Sequence, residues 1–519
     1  LLSSAVAEVA GTPEAYCVNP DRDFTRTRKI SLQKLISGII NMECKSLPNE
    51  LIDMFKGTSD IPSVSAFVQQ RDKLKPEAFE AVFNKFTARL TVNSGDMPVL
   101  AVDGSDVRLP TNPDDKLTYL PGSRTQVPYN SLHINALYDL NKHLYRAAVI
   151  QNGAQINECS ALQQLVDSSD IPLALVIADR GYESYNNLAH IQEKGWFFLI
   201  RIKDGNYGIK NGFDLPNEDC FDQSIVLNLT RKQTSEVKEL LKDRNHYKYI
   251  SHSSPFDYLP QYSHKADPLV FYALKFRIVR FKISSNTYET VITNLPGDKY
   301  PPEKLKGLYA SRWGIETSFR DLKYTIGLLK YHSKKTACIR QEIFARLTLY
   351  NFVEVITSHV AISQKQRKYT YKCNFSAATL DILYLTGAHL STTENTKYLC
   401  FPTNNFVYCI QTSIRGDSLR HYFGLSLVIQ TIHTGFQNIG SYGQAHLGAI
   451  TAVFHADDKG QGVIAVSYKT RQHSIGPLFT AHFCCAGLGA DRKAREIAVA
   501  ILVLHVIAHE ACQDLSGFF

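Results

Sequence analysis

Residues 96–204 carry a hydrophobic pattern that changes from strand to helix in a fixed order. Three short strand-like stretches come first, each bounded by Asn, Asp, Gly or Pro, and they contain PVLAVDGSDVRLP, HINALYDL and LYRAAVIQ. A helical stretch, the apolar run LALVIADR, a second helical stretch and the strand WFFLIRIK follow. Apolar periods near two are typical of strands, and spacings of three and four are typical of helices. The pattern predicts the order β-β-β-α-β-α-β, with the first three strands adjacent and antiparallel.

That order is the ribonuclease-H-like layout, so we expect an α/β catalytic core of this kind. The chain has 519 residues, more than one hydrophobic core usually organises. We expect five segments: 1–95, helical; 96–204, the first part of the core; 205–300, a β-rich insertion; 301–385, the second part of the core; and 386–519, an atypical C-terminal region of unknown role. In the first segment, residues 62–86 carry basic residues among apolar ones, which fits either a helical domain that lies on DNA or plain helical packing.

Composition excludes several classes of protein. With 44% apolar and 20% charged residues, the chain does not have the composition of a disordered protein. Its 11 Cys include no CxxC pair, which argues against a zinc ribbon and a disulfide framework. The longest uncharged apolar run, 497–508, is shorter than the roughly 20 residues of a bilayer span. No secretory signal is visible, so we expect a soluble, cytoplasmic protein with no membrane partner.

The positive charge is concentrated in one part of the chain. Residues 301–370 contain 13 Lys and Arg against five Asp and Glu, a difference equal to the net charge of +8 of the whole chain. Clustered cations favour a polyanionic partner, because binding to phosphates releases condensed counterions. A solvated helical face is the alternative interpretation of the same charge pattern.

Within this basic region, the sequence YASRWGIETSFRDLK has polar residues at a helical spacing. At 100° per residue, Tyr309, Arg312, Glu316 and Lys323 fall within an arc of about 60° on one helix. One helix would then present a carboxylate beside two cations and a phenol. Such a face is able to hold a metal ion together with a phosphate, although a solvated charged face has the same pattern.

Two further carboxylates follow buried strands. Asp103 comes directly after the apolar run 98–102, and Asp179 comes directly after the run 173–178. We expect each strand to deliver its carboxylate at an exposed end, although Asp in these places is also common as a turn or cap residue. Asp106 is the alternative to Asp103, and we prefer Asp103 because it ends the apolar run.

Three converging carboxylates repel one another unless cations lie between them. Two Mg²⁺ ions in such a site activate an attacking oxygen and stabilise the leaving oxygen of a phosphodiester. The arrangement of Asp103, Asp179 and Glu316 therefore indicates phosphoryl transfer.

The sequence resembles the DDE transposases of bacterial insertion sequences, in the "insertion sequence four" group. The mark of that group is Tyr, two residues, Arg, three residues, Glu, six residues and Lys, and residues 309–323 match this spacing in full. AVDGSDVRLP, HINALYDL and ADRGYESYNNL are also similar to the family. The resemblance covers roughly residues 24–385 and is lost after about residue 387.

The resemblance implies a catalytic, metal-binding triad of Asp103, Asp179 and Glu316, with two Mg²⁺ ions that Mn²⁺ can replace. It also implies that Tyr309, Arg312 and Lys323 contact DNA phosphates. Trp313 is a candidate for stacking on a flipped base, and core packing is its alternative role.

The function that the resemblance implies is metal-dependent strand cleavage and strand transfer at insertion-sequence ends. The expected partners are double-stranded DNA, as terminal inverted repeats and target, and a second copy of the chain in a synaptic homodimer, in a bacterial cytoplasm near the nucleoid. A decayed, non-catalytic DNA-binding relative is the alternative, because the C-terminal sequence departs from the family. A general ribonuclease-H-like nuclease is a weaker one, since it has no evident need for the Tyr-Arg-Glu-Lys set.

Overall fold

The computed structural model describes most of the first 359 residues and selected pieces beyond them. The described residues are 1–26, 29–90, 95–203, 208–262, 264, 267–359, 375–376, 378–379, 382 and the strands within 406–484. The chain divides into two compact units, of which the first comprises 1–357 with 374–394 and the second comprises 358–373 with 395–519.

The described part of the first unit contains twelve α-helices and ten strands. The helices are α1 (Leu2–Ala10), α2 (Pro13–Tyr16), α3 (Leu32–Asn41), α4 (Leu47–Met54), α5 (Val64–Arg71), α6 (Glu77–Leu90), α7 (Glu158–Asp167), α8 (Tyr185–Glu193), α9 (Ser235–Leu240), α10 (Pro302–Ala310), α11 (Trp313–Arg320) and α12 (Thr336–Ser358). The strands are β1 (Val99–Leu109), β2 (Tyr119–Leu120), β3 (Tyr129–Asp139), β4 (Leu144–Asn152), β5 (Leu175–Ala178), β6 (Phe197–Arg201), β7 (Phe221–Thr230), β8 (Tyr247–Tyr249), β9 (Tyr272–Ser284) and β10 (Thr287–Thr293).

All ten strands belong to one mixed sheet. Its order is β4-β3-β1-β5-β6-β10-β9-β7-β8, with the short β2 paired to the end of β3. Strands β1, β3 and β4 are antiparallel neighbours, whereas β5 and β6 run parallel to β1. The predicted order β-β-β-α-β-α-β is confirmed, with β2 as an addition that the pattern did not predict.

The segment predicted as a β-rich insertion is indeed rich in strands. Its strands do not form a separate sheet, because β10 pairs with β6 in antiparallel register, with Val291 opposite Arg201. Strands β9, β7 and β8 continue from there. The insertion therefore extends the core sheet, and the boundaries given for the five segments stay predictions.

Apolar side chains fill both faces of the sheet. On one face, Leu100 and Val102 of β1 pack in a cluster with Leu162 and Leu165 of α7. On the other face, Ala101 shares a cluster with α11, α12 and the N-terminal helices. Alternate residues of a strand point to opposite faces, so the two helical layers share β1 at the centre of the sheet.

A buried group of charges joins the N-terminal helices to α12. Arg71 Nη1 lies 2.8 Å from Glu342 Oε1, and both side chains are at most 3% exposed. His332 lies between two carboxylates, with Nδ1 3.3 Å from Glu342 and Nε2 3.5 Å from Glu50. Arg346 donates to the carbonyl oxygens of Met42 and Glu43. Because each charge has an opposite charge or a polar acceptor, burial of the group is tolerated.

The described part of the second unit consists of five strands. Strands β11 (Phe406–Ser413) and β12 (Gly424–Thr431) pair antiparallel, and β13 (Gly448–Ala456), β14 (Gln461–Thr470) and β15 (Ser474–Cys484) form an antiparallel three-stranded sheet. The rest of the predicted atypical region 386–519 lies outside the described residues. In the described parts of both units, no helix is long and apolar enough to cross a bilayer.

The buried pair of Arg71 and Glu342 gives a stability prediction. Glu342→Gln leaves Arg71 without its buried counter-charge and leaves His332 with Glu50 alone, so we expect the free energy of unfolding to fall by about 3 kcal/mol. Urea denaturation followed by the fluorescence of the buried Trp196 measures the change. Glu239→Gln, which breaks an exposed pair with Lys242, is the control and should cost about 0.5 kcal/mol or less. Equal losses in the two variants would contradict the structural role of the buried pair.

Candidate active site

Asp103 and Asp179 are brought together by the pairing of two parallel strands. Val102 of β1 is opposite Ala178 of β5, and the next residue along each strand is one of the two acids. Strand β5 ends at Ala178, and Asp179 continues from it in an extended conformation. Neighbouring strands are about 4.8 Å apart, so the register places the two carboxylates at the same level of the sheet.

The prediction that Asp103 lies at a strand end is wrong. Strand β1 continues to Leu109, because β3 remains paired with it as far as Leu109 opposite Asn130. Only its parallel neighbour β5 stops. Asp103 therefore occupies the point where one side of β1 loses its partner strand, and this leaves room for side chains from other elements.

The prediction of one continuous helix for residues 309–323 is also wrong. Helix α10 ends at Ala310 and α11 begins at Trp313. Across the break, amides bond three residues back: Arg312 N to Tyr309 O at 3.1 Å, and Ile315 N to Arg312 O at 3.1 Å. After α11, residues 321–325 form a wider π-helical turn. These changes alter the angle per residue, so a constant 100° per residue does not describe residues 309–323.

Helix α11 is held against the sheet by its apolar face. Ile315 and Phe319 are buried in the core, and Ser318 Oγ lies 2.9 Å from the hydroxyl of Tyr145 on β4. A Cβ on Gly314 would lie 2.7 Å from Leu140 Cδ2, so a glycine allows the helix to approach this closely. These contacts fix the position of Glu316 on the opposite side of α11.

Arg312 connects two of the three predicted acids. Its Nη2 donates to Glu316 Oε1 at 2.6 Å, and its Nη1 lies 3.7 Å from Asp103 Oδ2. Burial disfavours its charge, but the hydrogen bond to Glu316 and the charges of Tyr309, Glu316 and Asp103 together outweigh burial and raise the pKa of Arg312. Burial raises the pKa of Asp103, which Glu316 also raises, whereas the Gly104 amide and Arg312 lower it.

Tyr309 and Arg201 contact the third acid. The Tyr309 hydroxyl donates to Asp179 Oδ1 at 3.2 Å, and Arg201 Nη1 lies 3.8 Å from the same oxygen. Burial raises the pKa of the Tyr309 phenol, and the charge of Asp179 raises it further. Glu289 of β10 lies 3.7 Å from Arg201, so a strand of the insertion contributes to this group.

Lys323 and Trp313 lie at the edge of the site. Lys323 is half-buried; burial lowers its pKa, and the charge of Asp106 opposes that shift. Trp313 is 64% exposed, and the Arg312 guanidinium lies 5.6 Å from its ring centre. The core-packing alternative for Trp313 is therefore excluded, and its indole remains available to a ligand.

Comparison with known proteins gives the same family as the motifs. Residues 94–352 match the family described as the transposase DDE domain. Transposase InsG for insertion sequence element IS4 of Escherichia coli (strain K12) is 24% identical over 346 residues, which cover 63% of this chain and 70% of that protein. The chain is a DDE transposase.

A solved transposase structure is also similar to this chain. The cryo-EM structure of the piggyBac transposase synaptic complex with hairpin DNA aligns with 76% of this chain and 80% of its own, at 11% identity. The TM-score is 0.37.

Sequence reasoning did not single out His133 and Glu158, which lie next to the predicted acids. His133 of β3 donates or accepts through Nδ1 at 2.7 Å from Asp106, and its Nε2 lies 3.4 Å from Glu158 Oε1. Burial opposes protonation of His133, but the two carboxylates outweigh it and raise its pKa to about 9. The sequence HINALYDL was the only indication that His133 belongs to a strand near the predicted acids. Its pairing with Asp106 could not be predicted, because that pairing depends on the β1–β3 register.

DDE transposases use divalent metal ions. Carboxylate oxygens are the ligands that Mg²⁺ and Mn²⁺ prefer. Among the residues that the structure describes, no three His, Cys, Asp or Glu side chains are close enough to hold a metal ion. Instead, the Arg312 guanidinium lies between Asp103 and Glu316, where it offsets the repulsion of the two carboxylates.

Gly104 gives a prediction about the packing of the site. A Cβ there would lie 2.3 Å from His133 Nε2 and 2.8 Å from Glu158 Oε1, so Gly104→Ala should lower the free energy of unfolding by about 1–3 kcal/mol. Gly307→Ala in α10 is the control, because a Cβ there meets nothing within 4 Å and should stabilise the helix by about 0.5–1 kcal/mol. Urea denaturation of both variants tests the prediction. A free energy of unfolding of Gly104→Ala equal to that of the unsubstituted protein would refute it.

Proposed function

We propose that this transposase cleaves and joins DNA at insertion-sequence ends through Asp103, Asp179 and Glu316. The observation that carries the proposal is that Asp103 and Asp179 follow paired residues of the adjacent strands β1 and β5, while Arg312 lies between Asp103 and Glu316 of α11. The sheet order β4-β3-β1-β5-β6, with α7 between β4 and β5, supports a ribonuclease-H-like core. The five segment boundaries predicted above belong to the same proposal.

The proposed reaction has two phosphoryl-transfer steps. Water attacks a phosphodiester at the element end, the bond from phosphorus to the 3′ oxygen breaks, and a free 3′-OH and a 5′ phosphate result. That hydroxyl then attacks a second phosphodiester, so one P–O bond forms as another breaks. Two Mg²⁺ ions, held by the three acids, would activate the attacking oxygen and stabilise the leaving oxygen.

The residues around the acids are suited to hold and orient the DNA. Arg312 Nε is buried and has no hydrogen-bond partner in the described part of the chain, so it is able to donate to a phosphate oxygen. Tyr309 and Lys323 lie on either side of Arg312 in the sequence, and we propose that they contact the same backbone. The exposed Trp313 is placed to stack on an unpaired base.

A second basic surface lies where the N-terminal helical segment meets the residues before α12. A cleft of about 580 Å³ lies between residues 44–47 and 329–334, with Pro110 on its wall and no Asp or Glu in its lining. Lys330 and Lys334 in this lining are exposed. Pro110 is seven positions after Asp103 along an extended chain, a distance of roughly 23 Å. That distance is the length of about seven base pairs.

We propose that the duplex runs from the acids along β1 to this cleft. Both ends of an element must be held together for transposition, so we also propose a homodimer that binds two terminal repeats, and action on target DNA at the nucleoid. The mass of the protein–DNA complex tests the proposed homodimer. We expect a mass equal to two chains and two duplexes.

Cleavage by a carboxamide variant tests the catalytic assignment. Glu316→Gln should abolish Mg²⁺-dependent cuts at the boundary of the flanking terminal repeat, because an amide is a poor ligand for the metal, while binding of the repeat persists. Glu303→Gln, an exposed acid of α10, is the matched control and should cleave normally. A denaturing gel measures cleavage, and a native gel of the same samples measures binding of the repeat.

Two results would count against the assignment. Normal cleavage by Glu316→Gln would remove this residue from the triad. Binding without cleavage by the unsubstituted protein would favour the alternative of a decayed, DNA-binding relative.

The salt dependence of DNA-end binding tests the phosphate contacts. The slope of log K against log [salt] should fall by about 1 for each of Lys323→Ala, Lys330→Ala and Lys334→Ala. Lys242→Ala, an exposed lysine of the insertion, is the control and should leave the slope unchanged. Trp313→Ala should weaken binding with no change of slope, because stacking neutralises no phosphate. If the lysine variants had the same slope as the unsubstituted protein, the proposed path of the duplex would be refuted.

A further inference from the structure

The hairpin of β2 and β3 carries a loop that is exposed along its whole length. The two strands pair antiparallel, with Leu120 opposite Tyr129, and residues 121–128 connect them. All eight residues of this loop are exposed to solvent. Exposed loops on a rigid scaffold often carry binding residues, because their side chains are not needed for the packing of the core.

The base of the hairpin is held by a buried asparagine. Asn130 is 1% exposed, and its Oδ1 accepts a hydrogen bond from Asn112 N at 2.7 Å. Its Nδ2 donates to Thr118 Oγ1 at 2.8 Å. These bonds join the segment before β2 to the start of β3, so a fixed scaffold presents the exposed loop.

The hairpin also lies beside the cleft through which we propose that the duplex passes. Pro110, the first residue after β1, is part of the cleft wall, as are Lys330 and Lys334. Thr336, two residues after Lys334, donates to Asp115 Oδ2 at 2.6 Å. The segment that leads into the hairpin therefore contacts the part of the chain that supplies the lysines of the cleft.

The tip of the loop is a tight turn with polar side chains. Ser123 N donates to Gln126 O at 2.8 Å, and Gln126 N donates to Ser123 O at 3.4 Å. Arg124 and Thr125 therefore form the turn itself. A Cβ on Gly122 would lie 2.7 Å from Gln126 O, so a glycine permits the close approach of the two arms. Arg124 is the only charged residue of the loop, and it forms no ion pair with any residue that the structure describes.

We propose that this loop enters the major groove of the terminal repeat and that Arg124 reads a guanine there. The proposal rests on the proposed function, because the loop lies beside the proposed path of the duplex. The major groove admits a two-stranded ribbon, and a guanidinium in it donates two hydrogen bonds to O6 and N7 of guanine. The groove thus offers Arg124 the acceptors that the described part of the chain does not provide.

The preference of the full chain for the terminal repeat tests the role of Arg124. It is measured as the ratio of the affinities for a terminal-repeat duplex and for a scrambled duplex of the same length and base composition, at one salt concentration. We expect this ratio to fall about tenfold in Arg124→Ala and also in Arg124→Lys, because lysine keeps the charge but lacks the planar fork. Arg244→Ala and Arg244→Lys, at an exposed arginine of the insertion, are the matched controls and should leave the ratio unchanged.

Protection from dimethyl sulfate locates the contact on the DNA. This reagent methylates N7 of guanine, which lies in the major groove. We expect a guanine about seven or more base pairs from the cleaved boundary to be protected by the unsubstituted protein and reactive with Arg124→Ala. Gly122→Ala should leave the same guanine reactive although residue 124 is unchanged, because the added Cβ would force the two arms of the turn apart.

Three results would overturn the proposal. Full preference in Arg124→Lys would mean that Arg124 contacts a phosphate and reads no base. An unchanged preference in Arg124→Ala, or no guanine whose protection depends on Arg124, would remove the loop from the groove. A change in the mass of the protein–DNA complex without a change in preference would assign the loop to a contact with a second chain.

The same measurements separate this proposal from the proposed function. If the unsubstituted protein prefers the repeat and cuts it in a manner that depends on Glu316, but Arg124 has no effect, only the role of the loop is overturned. If the unsubstituted protein has no preference for the repeat, both proposals are overturned.

Discussion

The parallel pairing of β1 with β5 determines the architecture of the site. It brings Asp103 and Asp179 to the same level at the centre of a ten-stranded sheet, where apolar layers cover both faces. Because β5 ends at this level and β1 continues, the sheet has a local gap that other side chains enter. Arg312 and Glu316 enter from α11 on one face, and Glu158 enters from α7 on the other. Concentrated negative charge follows from this geometry, and so does the need for cations.

Much of this arrangement was predictable because it depends on local patterns. The strands and helices of residues 96–204 have clear periods, and two apolar runs each precede an acid. The spacing of Tyr309, Arg312, Glu316 and Lys323 identified the helical region that supplies the third acid. Tyr309 contacts Asp179, and Arg312 contacts Asp103 and Glu316, so the motif marked the surface next to the predicted acids even though the helix is interrupted.

The features that the sequence did not reveal depend on tertiary contacts. The break between α10 and α11 contains no proline, and its hydrogen bonds are adjusted by only one residue, so the helical period alone does not show it. The extension of the core sheet by the insertion depends on the pairing of β10 with β6, which are separated by about 90 residues along the chain. The contacts of Glu158, and those within the buried group of Arg71, Glu342 and His332, were unpredictable for the same reason. Each depends on residues that the fold brings together from different elements.

The central claim is that Asp103, Asp179 and Glu316 hold divalent cations in the space that the Arg312 guanidinium now shares. An experimental structure of the protein with Mn²⁺ and a terminal-repeat duplex, with anomalous scattering measured at the manganese edge, tests this directly. We expect manganese peaks within about 2.3 Å of carboxylate oxygens of these acids, with Arg312 turned towards a DNA phosphate. Absence of manganese from the acids, with Arg312 still bridging Asp103 and Glu316 in the DNA complex, would contradict it.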